Sequence, residues 1–218
     1  MKLLRFYFDV ISPFAYLAFE RLPRALEGLS YSVAYEPVLF AGLLSHWGQK
    51  GPAEIEPKRA WTFRHVAWQA HRDGIGMQTP AQHPFNPLAM LRLALACAPE
   101  GATPSRYVCE QVLRHVWQGG ADANDPARLA ALKNRLSPRI DPNGEEVKKA
   151  LKDSTSHAIA KGVFGVPTIE LDDRLFWGAD SLDMVAAAMR DSAWFDGPEW
   201  DAASVAPPGV ARKTPGKP

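Results

Sequence analysis

The junction between Phe6-Tyr7-Phe8 and Asp9-Val10-Ile11-Ser12-Pro13-Phe14-Ala15-Tyr16 constrains this chain more than any other stretch. Before it, Leu3-Leu4-Arg5-Phe6-Tyr7-Phe8 has the length and the β-type side chains of a buried strand. After it, Leu17, Leu22 and Leu26 are spaced for one face of a helix over 15–26. Ser12 is a favoured N-cap residue, and Pro13 suits the first helical position, where no backbone N–H is required. The chain is therefore expected to leave a strand and enter a helix at Ser12. First-turn amides and the helix dipole then face whatever lies above that end, and they favour an anion. A serine hydroxyl at such a place can donate a hydrogen bond to a thiolate. Taken alone, the segment is an ordinary helix cap, and only a partner elsewhere in the chain gives it a further meaning.

The rest of the chain supplies the frame. Tyr31-Ser32-Val33-Ala34-Tyr35-Glu36-Pro37-Val38-Leu39-Phe40 reads as a second strand, placed at an edge or cut short by Pro37. Strand, helix and strand joined this way form a parallel crossover. From residue 41 the pattern turns helical: 41–47, then 58–72 opened by Pro57 and stopped by Asp73-Gly74. In that helix Trp61, His65, Trp68 and Arg72 share one face and Phe63, Ala67 and Ala70 another, which predicts packing on two sides. Residues 75–87 form a proline-rich loop ending in His83-Pro84-Phe85-Asn86-Pro87, whose aromatic and amide are candidates to line a cleft. Helices follow over 88–98, 104–118, 127–136 and 145–161, the last with a possible break at Ser154-Thr155-Ser156. Strand character returns in 165–171 and in Arg174-Leu175-Phe176-Trp177, joined by Asp172-Asp173 as a hairpin. Gly178-Ala179-Asp180-Ser181 caps a final helix over 182–189.

The order is βαβ, helices, then ββα. It predicts an α/β thioredoxin-like sheet built from residues 1–40 and 162–200, carrying a large all-helical insertion over 41–161. A disordered C-terminal tail is expected over 203–218, where Pro, Gly, Lys and Arg replace apolar periodicity. Apolar content of 46% and charged content of 22% are ordinary for a globular protein. A net charge of +1 gives no reason to expect nucleic acid or an acidic membrane as partner. No run is apolar for long enough to span a bilayer, and the N-terminus lacks a secretory signal, so the expected location is the cytoplasm. The two cysteines, Cys97 and Cys109, sit in apolar helical segments without a Cys-x-x-Cys, and read as buried inert thiols. The six histidines form no metal-binding spacing, so no metal is expected.

Gly165-Val166-Pro167-Thr168, at the start of the ββα half, has the form of the cis-proline edge that lies beside the first helix in such folds. An ordinary trans proline at a strand start is the commoner meaning of a lone Val-Pro. The set as a whole is more specific: Phe6-Tyr7-Phe8-Asp9, Ser12-Pro13-Phe14-Ala15-Tyr16, Lys58, Phe164-Gly165-Val166-Pro167-Thr168 and Phe176-Trp177-Gly178-Ala179-Asp180. Over residues 1 to about 195 it resembles the 2-hydroxychromene-2-carboxylate isomerases, which are grouped with the kappa-class glutathione transferases in the DsbA-like branch of the thioredoxin fold.

This resemblance implies glutathione as cofactor, a small aromatic carboxylate as substrate and a homodimer. It implies that Ser12 lies beside the glutathione sulfur, that the backbone of Val166 before Pro167 pairs with the cysteinyl part, and that Asp180 holds the γ-glutamyl end. Lys58 would face the active site from the insertion, although on its own it reads as a solvated lysine at a helix start. Two positions depart from the family pattern. Ala179 stands where relatives carry Ser or Asn, leaving only its backbone, and Gln49 is the nearest counterpart of a family Asn. Pro13, Trp61, Phe85 and Asn86 are candidates for the substrate pocket, Trp61 being as well suited to a core or an interface. The implied reaction is cis–trans isomerisation between 2-hydroxychromene-2-carboxylate and trans-o-hydroxybenzylidenepyruvate. A transferase or peroxidase using the same thiolate is the alternative. A disulfide oxidoreductase lacks its cysteine at Ile11-Ser12-Pro13-Phe14, and a non-catalytic peptide-binding module is a further class.

Overall fold

The computed structural model describes residues 1–205 and Gly209. Strand β1 (Lys2–Phe8) alternates as a strand covered on both faces must: Leu4, Phe6 and Phe8 enter one apolar cluster and Tyr7 another. Helix α1 (Pro13–Ala25) begins where the cap residues place it. Strand β2 (Tyr31–Pro37) returns parallel to β1, in register from Lys2 opposite Tyr31 to Phe8 opposite Pro37. On the other side of β1 lies β3 (Thr168–Leu171), antiparallel to it, and then β4 (Arg174–Trp177), antiparallel to β3. The order β2-β1-β3-β4 puts Pro37 on an edge strand, where its missing N–H breaks no ladder. Asp172 and Asp173 both take left-handed backbone angles, φ 49° and 62°, as a two-residue hairpin turn with the native twist requires.

Between β2 and β3 come α2 (Phe40–Trp47), α3 (Glu56–Asp73), α4 (Leu88–Ala96), α5 (Arg106–Trp117), α6 (Pro126–Leu136) and α7 (Glu145–Ala160). After β4 come α8 (Leu182–Arg190) and α9 (Pro198–Ser204). This is the expected α/β sheet with a helical insertion. The larger apolar cluster joins one sheet face to α1, α4, α5 and α8, with Phe6 at its centre: its ring centroid lies 6.4 Å from Phe19 and 5.9 Å from Tyr35. Each such fully buried ring is worth about 1.5–3 kcal/mol relative to exposure. On the opposite face, Tyr7, Val38, Leu43, Ala158, Val163 and Val166 form the smaller cluster. The Tyr7 hydroxyl there donates to Glu170 at 2.6 Å, and Lys161 donates to the other carboxylate oxygen at 2.9 Å. Burial pushes the Glu170 carboxyl up, yet those two bonds hold it below the ordinary range.

Several local expectations are corrected. Strand β2 ends at Pro37, and Phe40, expected as its last residue, opens α2. Strand β3 starts at Thr168; Gly165-Val166-Pro167 precede it as an irregular edge. Helix α3 is not packed on two sides, because among its residues only Val66, Gln69 and Ala70 are buried. Its aromatics cover one another instead: His65 stacks 6.2 Å from both Trp61 and Trp68, and the Arg72 guanidinium lies 5.0 Å from the Trp68 ring. Helix α7 runs unbroken through Ser154-Thr155-Ser156. The Ser154 hydroxyl donates to the Pro37 carbonyl; that of Thr155 bonds back to the Leu151 carbonyl one turn earlier and accepts from the Leu39 N–H, a back-bond that helix α7 tolerates without a break. Ser181 does not cap α8 with its side chain; its hydroxyl donates back to Gly178 at 2.8 Å. The helix expected to be last is followed by α9, which includes Ala203 and Ser204 of the expected tail; residues 206–208 and 210–218 lie outside the described residues.

Candidate active site

Ser12 sits at the strand-to-helix elbow and is 6% exposed. Its extended backbone, φ −87° and ψ 115°, is that of an N-cap, and its Oγ accepts from the Ala15 N–H at 3.2 Å. The same hydroxyl donates to the Val166 carbonyl at 3.1 Å, across 154 residues of sequence. Val166-Pro167 is a cis peptide, so the edge expected beside the first helix is present. The Phe14 N–H, in the first turn of α1, has no acceptor among the described residues. The elbow thus presents one hydroxyl, one unpaired amide and the positive end of α1 within one turn of chain.

Three side chains from three parts of the fold hold this elbow. Asp9, fully buried, accepts from the Ile11 N–H at 3.0 Å and from the Phe40 N–H at 2.9 Å, tying the elbow to the start of α2. Burial pushes its carboxyl up to about 7, against the lowering effect of those two amides. Trp117, at the end of α5, donates from its indole to the Val10 carbonyl at 2.9 Å. His83 donates from Nε2 to the Ile11 carbonyl at 2.9 Å, so in the neutral ring Nδ1 is the unprotonated nitrogen. Sequence reasoning missed the roles of all three. Asp9 was visible inside the elbow, and His83 inside the proline-rich loop, but nothing local marks the peptide each would hold.

The far side of the elbow is the ββα half. Gly178 donates to the Pro167 carbonyl at 2.9 Å and has φ +97°, a backbone that only glycine takes at little cost. At Gly165 a Cβ would lie 2.6 Å from the Trp177 indole nitrogen, so any larger residue there displaces that ring. Ala179 is buried, and its carbonyl accepts from Arg21 at 3.1 Å. Asp180 follows it, exposed.

Ser12, buried Pro13, Val166 and Pro167 are brought together. Helix α3 packs on α1, and its His65 ring meets Phe14 edge-on at 5.9 Å. Lys58 and Trp61 precede His65 on this helix, Lys58 about 10 Å further along the axis. Both are exposed, and Lys58 has no ion-pair partner among the described residues. Phe85 is half-buried against the core and meets His83 at 5.9 Å. Asn86 is exposed, and its amide oxygen accepts from the Leu88 N–H at the start of α4, so it serves as a turn residue. Gln49 is exposed on the loop after α2. Cys109 is fully buried and Cys97 is half-buried; burial raises both thiols above their usual range, as inert cysteines require. Two surface clefts of about 450 and 660 Å³ lie elsewhere, against α5 and α6 and between α1, α8 and the end of α3. Neither is lined by any of the candidate residues.

Residues 3–190 match the family described as the DSBA-like thioredoxin domain. The chain is 31% identical over 195 residues to a 2-hydroxychromene-2-carboxylate isomerase of Pseudomonas sp. (strain C18), covering 84% of this chain and 88% of that one. It is 25% identical over 217 residues to glutathione S-transferase kappa 2 of Caenorhabditis elegans, covering 90% and 95%. A solved structure of a 2-hydroxychromene-2-carboxylate isomerase superposes with a TM-score of 0.76 at 24% identity, over 93% of this chain and 100% of that one. The matched span contains the sheet, the insertion and the whole elbow, and on this ground the chain belongs to the DSBA-like thioredoxin family, in the group of the 2-hydroxychromene-2-carboxylate isomerases and kappa-class glutathione transferases.

Proposed function

We propose that this protein is a glutathione-dependent cis–trans isomerase acting on a small aromatic carboxylate of the 2-hydroxychromene-2-carboxylate type. The observation that carries this reading is the elbow itself: a serine, not a cysteine, caps α1 beside the cis-proline edge, with the unpaired Phe14 amide next to it. Such a site offers donors to an anion and no sulfur of its own, so the sulfur comes with a ligand. The relatives' activities agree with a thiol cofactor and an isomerase or transferase outcome.

The residues fit reduced glutathione. Ser12 Oγ–H and the Phe14 N–H would donate to the thiolate, whose ordinary pKa near ~8.5 they lower by favouring the charged form. The exposed Asp180 carboxylate would meet the γ-glutamyl ammonium, and the Val166 backbone the cysteinyl peptide. Once the hemiketal ring has opened to a phenol and a conjugated enone, bound glutathione would supply a thiolate that adds to that enone, leaves a single bond free to rotate, and departs when the double bond re-forms. Lys58, which has no ion-pair partner among the described residues, would hold the substrate carboxylate or the enolate oxygen.

Mixing the protein, reduced glutathione and 2-hydroxychromene-2-carboxylate should shift the ultraviolet spectrum to that of the open trans isomer, with all glutathione recovered. Glutathione consumed as a conjugate would instead establish the kappa-type transferase reading. Calorimetry showing no heat at millimolar glutathione with folded protein would sink both. Asp180→Ala should weaken binding about tenfold, as loss of one charged partner at an exposed position predicts.

A further inference from the structure

The peptide joining Ile11 to Ser12 is held on both of its sides. Its carbonyl accepts from His83 Nε2 at 2.9 Å, and its N–H donates to the Asp9 carbonyl at 3.1 Å. The orientation of this peptide sets φ of Ser12, and through it the direction of the Oγ that meets Val166 and caps Ala15. His83 lies in an aromatic box, its ring centroid 5.1 Å from Phe63, 5.9 Å from Phe85 and 5.9 Å from Trp117. Its Nδ1 is buried and has no partner among the described residues. A phenylalanine would fill that box without leaving a desolvated acceptor. The imidazole is therefore costly there, and the one polar contact that it makes among the described residues is the bond to Ile11.

We propose that His83 is a positioning residue for Ser12, acting through its Nε2–H bond to the Ile11 carbonyl. It touches no reacting atom. It aims the hydroxyl that stabilises the thiolate, so its consequence for chemistry rests on the glutathione reading above, while its structural action does not. The bond is made by the neutral imidazole with Nδ1 bare. Protonation would place a second N–H in the aromatic box without an acceptor. Burial holds the imidazole below its ordinary range against the raising effect of the bond to Ile11, and Arg59 on α3 acts in the same direction as burial. From the elbow side the carboxylate facing Ile11 is Asp9; Phe63, Phe85 and Trp117 bring no charge.

The test compares His83→Phe, which keeps the packing and loses the donor, with His83→Gln, whose amide can restore it. Without any ligand, amide hydrogen exchange at Ser12 should speed about five- to tenfold in His83→Phe, the loss expected for one hydrogen bond, and return towards wild type in His83→Gln. With glutathione, ultraviolet titration should show the bound thiol pKa raised in His83→Phe, and kcat lowered about fivefold while the KM for glutathione stays within about twofold. A folded His83→Phe with wild-type exchange at Ser12 overturns the proposal. Wild-type protein that binds no glutathione overturns the functional reading instead, and the exchange result still decides the role of His83. Should His83→Phe not fold, the wild type decides: its Ser12 amide shift must titrate together with the His83 ring, and an amide that ignores that titration overturns the proposal.

Discussion

The elbow at Ser12 and helix α3, which packs on α1 and carries Trp61, are built in opposite ways. At the elbow, each of Val10, Ile11 and Ser12 has its carbonyl or amide tied to a partner, through Trp117, Asp9, His83 and the α1 turn. On α3, Trp61 is 65% exposed and Trp68 54%, and the rings rest mainly on one another. A group that must stabilise a charge has to be aimed before the charge forms, which favours a buried, fully bonded frame. A group that meets a variable aromatic acid needs surface and reach, which a solvent-facing helix supplies.

Four changes would break or sharpen this contrast. The largest effect belongs to Trp117→Ala, which removes a fully buried indole and its bond to Val10; it should cost about 3–5 kcal/mol in urea unfolding, against under about 0.5 kcal/mol for Trp61→Ala. Equal losses would erase the distinction between frame and arm. Next is Ser12→Ala, which should lower kcat by a factor approaching the ~10²–10³ seen for one donor to a developing anion, and raise the thiol pKa of bound glutathione. A variant that titrates like wild type would show the hydroxyl to be a cap and nothing more. A mass spectrum with a covalent Ser12 adduct would replace stabilisation by nucleophilic attack.

The third concerns pH. Asp9 has its folded pKa raised to about 7, so between its unfolded value near ~4 and pH 7 the native state binds the extra proton. Its contribution makes stability fall as pH rises through that window, by at most about 1.4 kcal/mol per pH unit, and then level off. Urea midpoints at pH 5 and pH 8 should therefore differ more in wild type than in Asp9→Asn; parallel midpoints would refute the buried proton. The smallest effect is Lys58→Met, which should raise KM for the aromatic acid about fivefold and leave glutathione affinity untouched. A change in glutathione affinity instead would move Lys58 to the other half of the site.

What could be read in the sequence followed from how local each signal is. Ser12-Pro13 and Asp125-Pro126 announce helix starts through the chemistry of adjacent residues, and the structure places caps at both. The cis-proline edge needed the wider resemblance, because a Val-Pro alone has no preferred meaning. Trp61 and Trp68 misled in the opposite sense: large rings at helical spacing look like a core, and periodicity does not distinguish a ring stacked on its neighbour from one buried beneath another helix. The contacts of His83 and Trp117 with the elbow span 72 and 107 residues, distances at which spacing says nothing. Those two residues are legible only once the chain is folded around them.

A hydroxyl carries one proton, and that of Ser12 points at the Val166 carbonyl. A thiolate bound at the elbow as proposed would accept from that hydroxyl in place of the Val166 carbonyl, so the two hydrogen bonds are alternatives for a single hydrogen atom. The β1–β3 ladder joins the two halves in either state, so what a bound thiolate would free is the Val166 carbonyl alone, unless the ligand's own amide pairs with it. An isotope label on the Val166 carbonyl would report the exchange directly, its stretching band rising in frequency as the donor leaves and falling back only for a ligand that carries a peptide N–H of its own. A bare thiol and a tripeptide would then bind the same sulfur subsite and leave two different infrared signatures.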